Sequence, residues 1–122
     1  MNSYNEIFRQ RTKQFALRVI WFCDTLPKTT ASFVLSKQLL RSCTSVAANY
    51  RAVCQARSEK ERYAKLCIVM EEADETLFWL EMLLQSGIAD HQKINDLLQE
   101  SAEFTKVFSA YKSKLKHKLH NL

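Results

Sequence analysis

Apolar residues recur every three or four positions along most of this chain, which is the spacing of one buried helix face. Four such segments are separated by short breaks. The first segment runs from Ser3 to Thr25 and ends before Pro27, because proline cannot continue a helix. Its apolar face consists of Tyr4, Phe8, Phe15, Val19, Phe22 and Leu26.

The second segment begins at Thr29 or Thr30, whose hydroxyl suits a helix N-cap, and continues to about Arg57. Its apolar face consists of Leu35, Leu39, Cys43, Val46, Tyr50 and Val53. The pattern predicts a long amphipathic helix that contains no acidic residue.

The last two segments carry clear end signals. Ser58 and Glu61 predict a capping box at the start of the third helix, and Gly87 predicts its left-handed end. The third face consists of Leu66, Val69, Ala73, Leu77, Leu80 and Leu84. Asp90 is the predicted cap of the fourth helix. The fourth face consists of Ile94, Leu97, Ser101, Phe104, Phe108, Tyr111 and Leu115.

Four amphipathic helices joined by short breaks predict an all-α fold, an antiparallel up-down-up-down four-helix bundle. One domain over residues 1–122 is expected, since no composition shift or repeat divides the chain. The single Gly excludes a glycine-rich phosphate loop.

A second apolar strip lies outside the four core faces. Aromatic and other large apolar residues on the outer sides of two helices predict a subunit interface. The predicted interface residues are Leu17, Trp21, Phe78 and Met82. The alternative is a monomer with a few exposed aromatic residues.

Charge is distributed unevenly along the chain, whose net charge is +5. Residues 28–57 hold five basic and no acidic residues, whereas residues 58–86 hold seven acidic and three basic ones. Lys37, Arg41 and Arg51 fall on one line of the second helix. These cations are candidate nucleic-acid contacts that bind phosphate. Alternatively, they form ion pairs with Glu71, Glu72 or Glu75.

Three polar residues are assigned structural roles. Asn49 lies at the edge of the second core face near Ser45, and a half-buried amide needs hydrogen-bond partners. We expect this amide to fix the helix register, as polar residues do in coiled coils. Glu72 is assigned a structural role beside them. The lysine-rich tail suits a helix C-terminus and could add to a polyanion-binding surface.

The sequence offers no catalytic, cofactor-binding or metal-binding constellation. No Glu is followed by His at the spacing of a di-iron motif, and no CxxC pair is present. We therefore expect neither an enzyme nor a cofactor. The polar N-terminal segment and the lack of an apolar run of about 18 residues predict a cytoplasmic protein without a membrane span. The four cysteines are expected to be free thiols.

The run from Leu26 to Leu83, and above all its Ser45–Arg51 segment SVAANYR, resembles the four-helix bundle family related to the 23S ribosomal RNA intervening-sequence protein. The resemblance implies a homopentamer without known catalysis and an RNA-related role. A related branch binds nucleic acid and a reverse transcriptase. Val53 and Cys54 stand where many members have a glycine.

Together these observations predict a non-enzymatic homo-oligomer, a pentamer by resemblance, with a nucleic-acid or ribonucleoprotein role. The expected partners are copies of this chain, RNA or DNA, and a partner protein. The alternative function is a protein-interaction scaffold that uses the predicted interface residues and binds no nucleic acid.

Overall fold

The computed structural model of the protein describes residues 3–121, which form four α-helices and no strand. Helix α1 spans Ser3–Cys23, α2 spans Thr30–Cys54, α3 spans Glu59–Gln85 and α4 spans His91–His120. The predicted all-α bundle of four helices is confirmed. None of these helices combines the length and apolar character needed to span a bilayer.

Contacts between helix ends show that neighbouring helices are antiparallel. The hydroxyl of Tyr50, near the end of α2, donates to Asn5 at the start of α1, over 3.2 Å. Arg62, near the start of α3, donates to backbone carbonyls at the end of α2. Lys118, at the end of α4, pairs with Glu59 at the start of α3. The four helices are therefore arranged in chain order around the core of the bundle.

Hydrogen bonds from side chains start three of the helices. Each predicted cap accepts the backbone N–H three residues further on, at 3.0–3.2 Å, and these caps are Thr29, Ser58 and Asp90. The carboxylate of Glu61 accepts from the N–H of Arg57 at 2.9 Å, and not from that of Ser58 as in a standard capping box. Gly87 follows α3 with a φ of 79°, as predicted.

Two helices end earlier than the sequence predicts. Helix α1 ends at Cys23, because the N–H and hydroxyl of Thr25 both bind the Phe22 carbonyl in a turn. Helix α2 ends at Cys54 and does not reach Arg57. The Arg62 guanidinium binds carbonyls at this end, so the chain leaves the helix with those acceptors satisfied.

Aromatic rings fill the space between α1 and α4. Phe104 stacks on Phe108 with ring centroids 5.5 Å apart, and Phe15 meets Phe104 edge-on at 5.4 Å. Phe8 contacts Phe108 edge-on, and the Tyr50 ring of α2 stacks on Phe108 at 5.2 Å. Large side chains, more than close backbones, therefore join α1 to α4.

The predicted core faces are confirmed except in α3 and at three positions near the rim. In α3, Thr76 and Leu83 are buried, whereas Leu77 and Leu84 are half-buried. Helix α3 has apolar residues on several sides, so its sequence pattern does not single out the buried side. Elsewhere, three predicted core residues lie at the rim, since Leu35 and Tyr111 are half-buried and Tyr4 is exposed.

Candidate nucleic-acid interface and subunit surface

The three predicted phosphate contacts lie exposed along the outer side of α2. From Lys37 to Arg51 the helix rises about 21 Å, at 1.5 Å per residue. This length can follow several phosphates of a nucleic-acid strand. The three side chains nevertheless differ in what surrounds them.

Arg41 is held by two carboxylates of α3. Its Nη1 lies 3.0 Å from Glu72 and its Nη2 lies 2.8 Å from Glu75, while its Nε donates to Gln38 at 3.2 Å. The third predicted partner, Glu71, forms no ion pair within residues 3–121. Of the two alternatives for these cations, pairing is therefore the arrangement that Arg41 adopts.

Glu72 depends on this arginine because it is the more buried of the two carboxylates, with its side chain 15% exposed. Burial raises the pKa of Glu72 and the neighbouring Glu75 raises it further, whereas Arg41 lowers it. Removing Arg41 would leave a half-buried carboxylate without its counter-charge. This geometry fits the structural role assigned to Glu72.

The polar residues between α2 and α3 divide into a local and a bridging set. Asn49 donates to the Ser45 carbonyl at 3.0 Å and to the Ser45 hydroxyl at 3.1 Å, so its amide bonds stay within α2. In the interior, a bond that crosses between the helices joins the buried hydroxyls of Thr76 and Ser42 over 2.9 Å. The amide of Asn49 was expected to fix the register between helices, but its bonds stay within α2. The hydroxyl of Ser42 forms the bond to α3.

Arg51 lies on the other flank of α2, beside α1. It lines a shallow cavity of about 190 Å³ together with Arg9 and Lys13 of α1 and with Ala47 and Ala48 of α2. We call this cavity the α1–α2 groove. Its alanine side leaves space between the helices for a ligand.

Two of the three cations in this groove keep their charge unpaired. Arg9 binds Glu6 through two nitrogens, at 2.6 and 3.1 Å. Within residues 3–121, neither Lys13 nor Arg51 forms an ion pair, and Lys37 forms none either. Unpaired cations on adjacent helices can hold the oxygens of a phosphate backbone.

The sequence reasoning missed Lys13, because it lies on α1 and no spacing rule links it to α2. The available signal was the pair of small residues Ala47 and Ala48, which allows α1 to approach the basic side of α2.

The first outer apolar surface includes Trp21. Its side chain is 60% exposed and borders a groove of about 430 Å³ that Arg18 and Lys93 also line, with Asp96 as the one carboxylate. Leu17, predicted to belong to this surface, is half-buried. We call Leu17, Arg18, Trp21 and Lys93 the Trp21 face.

Phe78 and Met82 form the second outer apolar surface, on α3, and are 50% and 37% exposed. Three exposed carboxylates on the same side of α3 surround them, and no ion pair within residues 3–121 neutralises these: Glu71, Asp74 and Glu81. We call these five residues the Phe78 face. It is acidic, whereas the Trp21 face has an excess of basic residues.

Further exposed apolar side chains were not predicted as interface residues. The most exposed of them are Phe33, Ile7 and Val34, at 72%, 53% and 52%. Phe33 and Val34 lie in the first turn of α2, where the core pattern has not begun. The four cysteines are free, as predicted. No group of three or more His, Cys, Asp or Glu within residues 3–121 could hold a metal ion.

The family of the 23S rRNA-intervening sequence proteins matches this chain over residues 5–110. That segment includes nearly all of α1, the whole of α2 and α3, and most of α4. This chain belongs to the 23S rRNA-intervening sequence protein family. It is also similar to a Bacteroides thetaiotaomicron protein of unknown function from the S23 ribosomal protein family, known from a crystal structure. The two are 31% identical over 89% of this chain and 97% of the other, with a TM-score of 0.80. No curated protein matches the chain.

The matched segment contains every residue predicted to bind phosphate or to form an interface. The lysine-rich tail that begins at Lys112 lies outside it. In this member of the 23S rRNA-intervening sequence protein family, the α1–α2 groove and the two outer faces therefore lie within the matched segment.

Proposed function

We propose that this protein is a non-enzymatic subunit of a homopentameric ring that binds nucleic acid in the cytoplasm through the outer side of α2. The observation that supports it most is the state of the α2 cations. This side contains no acidic residue, and Lys37 and Arg51 remain exposed and without a carboxylate partner within residues 3–121. The name of the family also points to ribosomal RNA.

The ring is supported by two outer faces that differ from each other. The Trp21 face has a basic excess and the Phe78 face is acidic, so each complements the other better than itself. Contacts between unlike faces generate rings or filaments and not two-fold dimers. We take the number of five from the family resemblance.

The positions of the two faces leave α2 outside the proposed subunit contacts. The Trp21 groove is lined by α1 and α4, and Phe78 lies about 200° around α3 from Thr76, which faces α2. Phe78 therefore points away from α2. In a ring built from these faces, the cations of α2 stay open to solvent.

Light scattering or native mass spectrometry tests the ring. We expect five copies of the 14.3 kDa chain in one particle. Trp21→Asp should dissociate the particle because it places a charge in the apolar centre of one face. The control is Thr44→Asp, an exposed position on α2 that belongs to neither outer face. A wild-type protein that is monomeric at micromolar concentration contradicts the ring.

Binding to a fluorescent duplex RNA tests the nucleic-acid role. Phosphate contacts release counterions, so the logarithm of the affinity should fall linearly with the logarithm of the salt concentration. Affinity that does not change with salt, or the absence of binding at low salt, contradicts this role.

A protein-interaction scaffold is the second candidate function. It is supported by Phe33 and Val34, which are exposed and belong to neither face. Capture of partners from cell extract before and after nuclease treatment distinguishes the two functions. A protein partner that stays bound after nuclease treatment and is lost in Phe33→Ser supports the scaffold. Loss of every partner on nuclease treatment contradicts it.

A further inference from the structure

A polar cavity of about 670 Å³ lies at the end of the bundle where α1 and α3 begin and α2 and α4 end. Its charged lining comes from two helices: Lys114 and Lys118 of α4, and Glu59 and Arg62 of α3. This end cavity is separate from the α1–α2 groove and from both outer faces.

The lining of the end cavity has an excess of positive charge. Glu59 pairs with both Arg62 and Lys118, the latter at 3.0 Å. Lys114 forms no ion pair within residues 3–121. Three cations therefore face one carboxylate, which leaves an excess of two positive charges. Such an excess suits a dianion better than a monoanion.

A tyrosine hydroxyl supplies a donor to the same cavity. Tyr111 lines the cavity and interacts with the side chain of the buried Asn5, whose amide oxygen accepts from the Tyr50 hydroxyl over 3.2 Å. Burial raises the pKa of Tyr111, so its hydroxyl keeps its proton at neutral pH. Because a phenol can both accept and donate, Tyr111 can donate a hydrogen bond to an anion in the end cavity.

A second cavity of about 270 Å³ adjoins the first, since both are lined by Asn5, Tyr111 and Lys114. Tyr4 and Ala110 complete the second cavity. Tyr4 is 40% exposed and its ring stands edge-on to Tyr111, 5.7 Å away. This space can hold an organic group against an aromatic ring while an attached anion lies in the first cavity.

We propose that the two cavities together bind a phosphomonoester. The phosphate lies beside Lys114, Lys118 and the Tyr111 hydroxyl, and the organic group lies against Tyr4. A phosphomonoester carries about two negative charges near pH 7, matching the charge excess, whereas a phosphodiester carries one. The ester is either a free nucleotide or the terminal phosphate of an RNA strand, which share this chemistry.

Titration calorimetry with methyl phosphate and dimethyl phosphate tests the proposal on the full chain. We expect saturable binding of methyl phosphate and weaker binding of dimethyl phosphate. Lys114→Ala should lower the affinity for methyl phosphate about tenfold, the usual loss for a hydrogen bond to a charged group. Tyr111→Phe should lower this affinity as well. The control is Lys116→Ala, an exposed lysine on the same helix that does not line the cavity. Equal affinity for the two phosphates, no saturable binding, or equal loss in Lys114→Ala and Lys116→Ala overturns the proposal.

Alkylation of Cys54, which also lines the end cavity, locates the ligand and identifies its source. Adenosine monophosphate or a 5′-phosphorylated oligonucleotide should slow the modification of Cys54 and leave that of the half-buried Cys67 on α3 unchanged. Protection by the nucleotide alone assigns a free ester, and protection by the oligonucleotide alone assigns an RNA end. Protection by neither, or equal protection by a 5′-hydroxyl oligonucleotide, overturns the proposal. The 5′-hydroxyl oligonucleotide carries the same phosphodiester backbone, so it separates this end site from backbone binding along the outer side of α2.

Discussion

The two flanks of α2 carry the same kind of side chain in opposite circumstances. On the α3 flank, Arg41 is held by Glu72 and Glu75 at 3.0 and 2.8 Å. On the α1 flank, Arg51 lines the α1–α2 groove with Lys13, and neither has an ion pair within residues 3–121. One helix without acidic residues therefore presents a neutralised cation on one side and free cations on the other.

The difference shows that the neighbouring helix decides what a surface cation does. Helix α3 offers two carboxylates spaced three residues apart, which match the fork of one guanidinium. Helix α1 offers mainly cations, and its nearby carboxylate Glu6 is bound to Arg9. We therefore assign the α3 flank to stability and the α1 flank to binding.

Replacing Lys13 and Arg51 together by alanine should have the largest effect on duplex RNA binding. Each lost phosphate contact lowers the slope of log affinity against log salt by about one, so the double variant should lose about two. Salt titrations by fluorescence anisotropy measure this slope. As a control, Lys60→Ala with Lys106→Ala removes two exposed lysines from other helices and should keep the slope. Equal losses in both double variants would remove the distinction between the flanks.

Thr76→Val changes a buried residue on the α3 flank. It removes the hydroxyl that binds Ser42 across the two helices and leaves a buried oxygen without this donor, so unfolding should become easier by about 1–3 kcal/mol. Urea denaturation measures the change. Thr44→Val, whose hydroxyl is exposed and bonds only within α2, should change stability by less than about 0.5 kcal/mol. A Thr76 variant as stable as the wild type would show that the bridging bond contributes nothing.

Arg41→Ala should weaken the α3 flank by about 1 kcal/mol, because its pair with Glu75 is exposed and such pairs stabilise by about 0–1 kcal/mol, while the more buried Glu72 loses its counter-charge. The same variant should bind duplex RNA nearly as well as the wild type. Thermal unfolding and anisotropy on one preparation compare the two effects. A large loss of RNA affinity with unchanged stability is the opposite outcome.

The smallest effect concerns pH and two carboxylates in different surroundings. Burial raises the pKa of Glu72, so the folded state binds a proton on this carboxyl more tightly than the unfolded state does. The stability that this group contributes is therefore lost as pH rises through its pKa in the folded state. Arg11 lowers the pKa of Glu103, so that contribution is lost as pH falls below the usual value of 4.5. Stability curves of Glu72→Gln and Glu103→Gln should therefore deviate from the wild type in opposite directions on acidification. Deviations of the same sign contradict this assignment.

The helix starts could be predicted because their signals are local. Thr29, Ser58 and Asp90 each cap a helix through a bond to a backbone group three residues away, so sequence spacing alone identifies them. The family also follows from a local segment, the SVAANYR run of α2. Exposed aromatic residues opposite a core face, such as Trp21 and Phe78, follow from helical periodicity in the same way.

The partners of the polar residues could not be predicted, because they depend on how one helix is rotated against another. The sequence shows that α2 and α3 carry opposite charges. It does not show that Arg41 pairs with Glu72 and Glu75 and not with Glu71. Likewise, no spacing rule brings Thr76 to Ser42 or Lys13 to Arg51. The proposed binding cations, Lys13 and Arg51, are therefore distinguished by having no carboxylate partner within residues 3–121.

The most direct measurement compares Arg51→Gln with Arg41→Gln in duplex RNA binding over a series of salt concentrations. Both variants remove one exposed arginine from α2 and keep the polar character of the side chain. We predict that the salt slope falls by about one for Arg51→Gln and stays at the wild-type value for Arg41→Gln. Equal slopes for the two variants, or a loss confined to Arg41→Gln, would contradict the assignment of binding to the α1 flank.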